Sequence, residues 1–199
     1  MEIYLIRHGQ IDSGHIDPYT QPLTAKGRAQ AKCLAEQCAA WGIGFICAST
    51  MRCAEQTADA ISERLPDAIR WDLEEMDEVT DNDLMGDPVA GPLVSTWSEQ
   101  QLALGYEQMN ARVMAALVRI QIYADARGIE RIAIVGHAST LKALLQDWLD
   151  PDRSAAEVPP KAAKRAATDL EVPVDYGATC KVTLDEERTH VEWVNQPSC

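Results

Sequence analysis

The sequence predicts a three-layer α/β sandwich, with a mostly parallel central sheet, helices on both faces and an antiparallel hairpin at the C-terminal end. Three observations lead there. Short apolar runs of strand-forming residues alternate with stretches of helical period, the order that builds a parallel sheet from strand–helix–strand units. Two of the runs, Ile3–Ile6 and Ile132–Val135, are apolar throughout, as strands covered on both faces are. The last segment instead alternates in period two around a polar turn, which is a hairpin pattern.

Each element has its own justification. The first strand starts at residue 2 and stops at Arg7-His8-Gly9, and residues 10–23, rich in Asp, Gly, Pro and Ser, read as a loop. Thr24 is placed to cap a helix whose inward face carries Ala31, Leu34, Ala35, Cys38 and Trp41, with Gly42 ending it. Gly44–Cys47 is a second buried strand. Ser49 or Thr50 then caps a helix that turns Ala54, Ala58, Ile61 and Leu65 inward before Pro66 closes it, with Arg52 in its first turn. Residues 68–71 form a short edge strand.

The acidic stretch 72–98, broken by Gly86, Pro88, Gly91 and Pro92, reads as a lid-like excursion with little regular structure. Residues 102–124 carry an apolar stripe at positions 106, 109, 113, 117, 120 and 124, with Gly105 opposing an earlier helix start and Gly128 ending it. A strand over 131–136 delivers His137, and a helix follows with Leu141, Leu144, Leu145 and Trp148 inward. Residues 150–175, rich in Pro, Ala and charge, read as a surface insertion. The hairpin places Ala178, Cys180, Val182 and Leu184 opposite Val191 and Trp193.

Composition narrows the function. With 199 residues, 46% of them hydrophobic, the chain suits one domain over 1–199. A formal charge of -13 repels polyanions, so neither nucleic acid nor an anionic membrane is expected as partner, and any anion site must be a local cationic pocket. No apolar run nears the ~18–20 residues of a membrane span, and the first strand leaves no room for a secretory leader. The six cysteines, Cys33, Cys38, Cys47, Cys53, Cys180 and Cys199, lack Cys-x-x-Cys spacing and read as free thiols of a cytoplasmic protein. The sequence carries no signal of oligomeric state.

In open α/β sheets ligands bind beyond the carboxyl ends of the strands. The three strongest strands bring Arg7 with His8, Arg52 and His137 to that edge. Two arginines and two histidines suit a phosphoryl group, because guanidinium forks bind its oxygens bidentately and a neutral imidazole can attack phosphorus. Two histidines also suggest zinc, but no third ligand has zinc spacing and the arginines oppose a cation, so no metal is expected. His15, behind the first triplet, is a possible substrate contact, and His190 on the hairpin is structural.

The chain resembles the histidine phosphatase superfamily, which includes the cofactor-dependent phosphoglycerate mutases. The resemblance runs through Leu5–Gly9, Pro22–Ala31, Ser49–Ala58 and Val135–Ala138 with Thr140-Leu141. It implies phosphoester hydrolysis in two steps, through a phosphohistidine on His8, with Arg7, Arg52 and His137 holding the phosphoryl oxygens and neither metal nor organic cofactor. The substrate is then a phosphorylated small molecule or a phosphoprotein. Leu73-Glu74-Glu75 matches the family's acid context, making Glu75 the general acid, with Glu74 and Glu78 as alternatives. The family's second-strand arginine stands four residues before the Thr of a Gln-Thr pair; here that position is Cys53, one residue after Arg52. This departure motivates a second reading, a catalytically impaired module that binds phosphorylated ligands; a third, which comes with the resemblance itself and which the departure opposes, is a mutase-type phosphotransferase.

Overall fold

A computed structural model describes residues 1–14, 17–80, 83, 98–149, 175–185 and 189–195. In chain order the elements are β1 (Glu2–Arg7), α1 (Ala25–Trp41), β2 (Phe45–Ala48), α2 (Arg52–Arg64), β3 (Ile69–Asp72), α3 (Glu99–Asp125), β4 (Arg131–Gly136), α4 (Ala138–Leu149), β5 (Thr179–Leu184) and β6 (Thr189–Asn195), with a 3-10 turn at Glu74–Met76. They build one six-stranded sheet in the order β3-β2-β4-β1-β5-β6. Neighbours among β1 to β4 are parallel, and β5 runs antiparallel to both β1 and β6.

The two faces of the sheet are covered by different helices, because each strand alternates its side chains between them. Tyr4, Ile6, Ile46 and Ala48 point to one face and pack on Leu34, Ala35 and Cys38 of α1 and Ala54, Ala58 and Ile61 of α2. Ile3, Leu5, Phe45 and Cys47 point to the other and meet Met109, Val113, Leu117 and Ile120 of α3 and Leu141, Leu144 and Leu145 of α4. The predicted α/β sandwich is therefore the observed fold.

Local signals explain most boundaries. Thr24 caps α1 by accepting from the Gly27 N–H at 3.0 Å, and Gly42 ends it in the left-handed region at φ 71°. Helix α3 begins at Glu99, earlier than its apolar stripe suggests. Ser98 and Gln101 form a reciprocal capping box there, which offsets the cost of the buried Gly105. Neither Ser49 nor Thr50 caps α2; its N-cap is Met51, without a side-chain bond, and both hydroxyls are committed elsewhere.

Of the excursion, the described part is residues 72–80, Asp83 and Ser98; the rest, like the insertion at 150–174 and His15, lies outside the described residues. No described helix is long and apolar enough to cross a membrane. Cys38, Cys47, Cys53 and Cys180 are free and buried. Cys33 is disulfide-bonded, against the expectation of free thiols throughout; half-buried on α1, it is open to pairing. The thiol count therefore gives no support to a reducing compartment.

One contact fixes where β1 ends relative to α1. A Cβ on Gly27 would collide with the Gln10 carbonyl, and one on Gly9 would meet the Gly27 carbonyl at 2.5 Å. Gly→Ala inside a helix ordinarily stabilises by about 0.5–1 kcal/mol. Gly27→Ala is expected to do the reverse and destabilise by about 1–3 kcal/mol through overpacking, as read from urea unfolding midpoints.

Candidate active site

The register between β1 and β4 makes the site. Arg7 lies opposite Gly136, and the His8 N–H donates to the Gly136 carbonyl at 3.0 Å, so the residues that follow each strand emerge side by side. His8 and His137 face each other with ring centroids 5.0 Å apart. Both are nearly enclosed, at 4% and 2% exposure. The loop after β1 is pinned to α2, since the Gly9 N–H donates to Thr57 Oγ1 at 3.2 Å and that hydroxyl donates to the Cys53 carbonyl at 2.8 Å.

His8 Nδ1 lies 2.8 Å from the Gly9 carbonyl oxygen, which can only accept, so Nδ1 carries the proton and Nε2 keeps its lone pair. Burial, then the neighbouring His137, push the His8 pKa down to about 3, with Arg7 acting the same way against Gly9 and Glu78. His137 is also pushed down to about 3, mainly by burial and then by Arg7 and Arg112. Arg7 lays its guanidinium over the Tyr176 ring at 4.1 Å, and that ring also stands 5.5 Å from His8.

A carboxylate chain supports the second histidine. The Ser49 hydroxyl donates to Asp77 Oδ1 at 2.6 Å, so it accepts from His137 Nε2–H at 2.8 Å. Asp77 also takes the Thr50 N–H at 2.8 Å and the Thr50 hydroxyl at 2.9 Å. Burial raises the Asp77 pKa against these donors. With Nε2 so committed, Nδ1 is the nitrogen His137 has left for a pocket ligand.

The other predicted residues separate. Arg52 points outward, half exposed at 50%, and pairs with Glu55 at 3.4 Å. Cys53, one residue or about 100° further round the helix, points inward and is 3% exposed, its thiol pKa pushed up to about 12 by burial. Glu75 is bound by Arg119 at 2.6 Å, on the side of the excursion facing α3. Glu78 is the carboxylate that acts electrostatically on both His8 and Cys53, and it accepts from the Ser139 hydroxyl at 2.9 Å, two residues beyond His137. Glu74 lines a separate depression with Tyr19, Thr50 and Glu75. His190 is exposed on β6.

Three contributors have no clear mark in the sequence, Asp77, Tyr176 and Arg112, and a fourth, Ser49, reads there as a helix cap and not as a partner of His137. Arg112 organises the acidic segment, holding Asp83 through both carboxylate oxygens at 2.7 and 3.0 Å and donating to the carbonyls of Glu75, Asp77 and Glu78, each at 2.8 Å. It reads in the sequence as one more polar position on an amphipathic helix. Among the described residues His8, Cys53 and His137 also present one ligand atom each within 4.8 Å of one another, a geometry that can hold a metal ion.

The buried histidines give the fold a pH dependence. The unfolded chain takes up their protons near 6.5 while the folded state resists until about 3. Stability is therefore complete above about 6.5 and is lost as the pH falls towards 3. Asp77, raised, opposes this only in the carboxylate range. Urea midpoints are expected to show a loss of roughly 2 kcal/mol per histidine between pH 7.5 and 5.

No curated protein sequence matches the chain. Solved structures do match in fold. The α-ribazole phosphatase of Shigella flexneri shares 20% identity at a TM-score of 0.69, covering 99% of this chain and 97% of its own. A mycobacterial glucosyl-3-phosphoglycerate phosphatase shares 18% at 0.69, covering 99% of each. The protein histidine phosphatase SixA, complexed with tungstate, shares 16% at 0.59, covering 97% and 95%. The model of the histidine phosphatase superfamily (branch 1) matches residues 3–197, nearly the whole chain, and the protein belongs to that superfamily.

Proposed function

We propose that the protein hydrolyses phosphomonoesters through a phosphohistidine on His8, needing neither metal nor organic cofactor for the reaction. The observation that carries this reading is the 2.8 Å bond from His8 Nδ1 to the Gly9 carbonyl, which leaves Nε2 as a neutral nucleophile next to Arg7 and His137.

In the first step Nε2 attacks phosphorus and the ester P–O bond breaks. The leaving oxygen takes a proton from a carboxylic acid. Arg7 stabilises the phosphoryl oxygens, and His137, taking onto Nδ1 the proton that a monoester monoanion carries into the pocket, donates it back as a hydrogen bond to one of them while Ser49 and Asp77 hold its other nitrogen. In the second step water attacks, the P–N bond breaks, and the carboxylate takes the water proton. Glu78 fits this acid/base role better than Glu75, because Glu75 is engaged by Arg119 while Glu78 is bound by Ser139, two residues beyond His137.

A cavity of about 480 Å³ between α3 and α4, lined by Glu78 and Ser139 with Asn110, Lys142 and Gln146 as polar groups, is the candidate site for the leaving group. That size and chemistry favour a small polar phosphoester over a phosphoprotein. Phosphatases among the structural relatives are named for such substrates.

The inward Cys53 supports a second reading, a phospho-ligand binding module with impaired catalysis. Assay of the purified protein on an aryl phosphate in chelating buffer separates the two. Turnover is expected, with acid-labile, base-stable phosphate trapped on the chain after rapid quenching; binding without turnover or trapped phosphate would establish the second reading.

A further inference from the structure

The pocket around His8 contains the donor set of a thiophilic metal site. His8, Cys53 and His137 reach it from β1, α2 and β4, all three are buried, and their ligand atoms lie within 4.8 Å of one another. Zinc bonds to imidazole nitrogen and thiolate sulfur of about 2.0–2.3 Å imply ligand–ligand separations of about 3.3–3.8 Å in a tetrahedral site. The widest of the three separations thus needs to close by at most about 1–1.5 Å for all three to ligate one ion.

The surrounding hydrogen bonds match what a metal requires of its ligands. A ligating histidine usually donates its second nitrogen to a carbonyl or carboxylate, which fixes the tautomer and aims the lone pair. His8 does so to the Gly9 carbonyl, and His137 does so to Ser49, which is held in turn by Asp77. Each ring is left with one lone pair, and Cys53 supplies the third donor. Arg7 opposes a cation here, while Glu78 favours it, acting on both His8 and Cys53.

We propose that His8, Cys53 and His137 bind one zinc-class divalent ion and that this ion shuts down the phosphatase by occupying His8 Nε2. Binding exchanges the Cys53 S–H bond for an S–metal bond, the proton leaving to solvent, and a fourth position remains for water. His8 has a single lone pair in the pocket, so the metal and phosphorus are alternatives for it. The inhibition rests on the hydrolytic reading above; the metal binding does not.

The test titrates chelator-stripped protein with zinc by calorimetry and with Co²⁺ by absorbance. One equivalent is expected, with a thiolate-to-cobalt charge-transfer band that Cys53→Ser and Cys53→Ala both remove. Each variant is expected to weaken zinc binding at least about 100-fold, and His137→Gln similarly. Zinc should arrest turnover stoichiometrically and chelator should restore it. Absence of stoichiometric binding, or unchanged affinity in the folded Cys53 variants, would overturn the site. Stoichiometric binding by a protein that lacks turnover when stripped would leave the site standing and sink the hydrolytic reading instead.

Discussion

Replacing His8 by alanine is expected to reduce turnover of an aryl phosphate by at least about 10⁴-fold, the scale seen when a covalent nucleophile is removed. The reason lies in the tautomer. With Nδ1–H held by the Gly9 carbonyl, Nε2 is positioned as a neutral nucleophile, and among the described residues no neighbour takes its place. His137 has its Nε2 on Ser49, and its Nδ1 is needed as a donor to the phosphoryl group. The Cys53 thiol, its pKa at about 12, is not a thiolate at neutral pH. Arg7 and His137 remain in the variant, so inorganic phosphate should still bind and inhibit any residual activity. A loss of phosphate binding together with rate would mean that the pocket had collapsed. A rate reduced only tenfold or less would show that His8 is not the nucleophile.

The sequence made the sheet and three of the four residues of the predicted cationic edge, Arg7, His8 and His137, visible, because these depend on short-range patterns. A strand buried on both faces must be an unbroken apolar run, and the residues that end such runs, Arg7-His8 and His137, must emerge at the carboxyl edge. Their pairing across β1 and β4 follows from two parallel neighbours in register. The rest depended on direction. Arg52 and Cys53 are adjacent in sequence, and only the azimuth of α2 decides which enters the pocket; the observed phase turns Cys53 in.

The acidic run was opaque for a similar reason. The four carboxylates of Glu74 to Glu78 look alike as solvated charge, yet the 3-10 turn and the residues after it send them to different places. Met76 goes to the core, Asp77 beneath Ser49, Glu75 to Arg119 and Glu78 to Ser139, two residues beyond His137. What shapes that turn is Arg112, 34 to 37 residues further along, binding the carbonyls of Glu75 and Glu78. Contacts of such separation leave no periodic trace. Zinc likewise looked excluded because no third ligand has motif spacing, whereas in the proposed site the third donor, Cys53, comes from helix α2.

The direction of that acidic run has the second large consequence. Glu78→Gln is expected to lower kcat on an alkyl phosphate by about 10²–10³-fold, within the range of general acid catalysis, with a smaller loss on an aryl phosphate. An alkoxide must be protonated as it leaves, whereas a phenolate with an acidic parent departs unaided, so the substrate contrast isolates proton donation from any structural damage. Glutamine keeps the size and can still accept from Ser139, so the fold and the entrance to the α3–α4 cavity should be preserved. The matched control is Glu75→Gln. Its partner Arg119 is largely solvated, so breaking the pair should cost less than about 1 kcal/mol of stability and leave the alkyl-to-aryl ratio unchanged. If Glu75→Gln alters that ratio and Glu78→Gln does not, the acid is Glu75, and the excursion must reorganise around Arg112 on binding substrate.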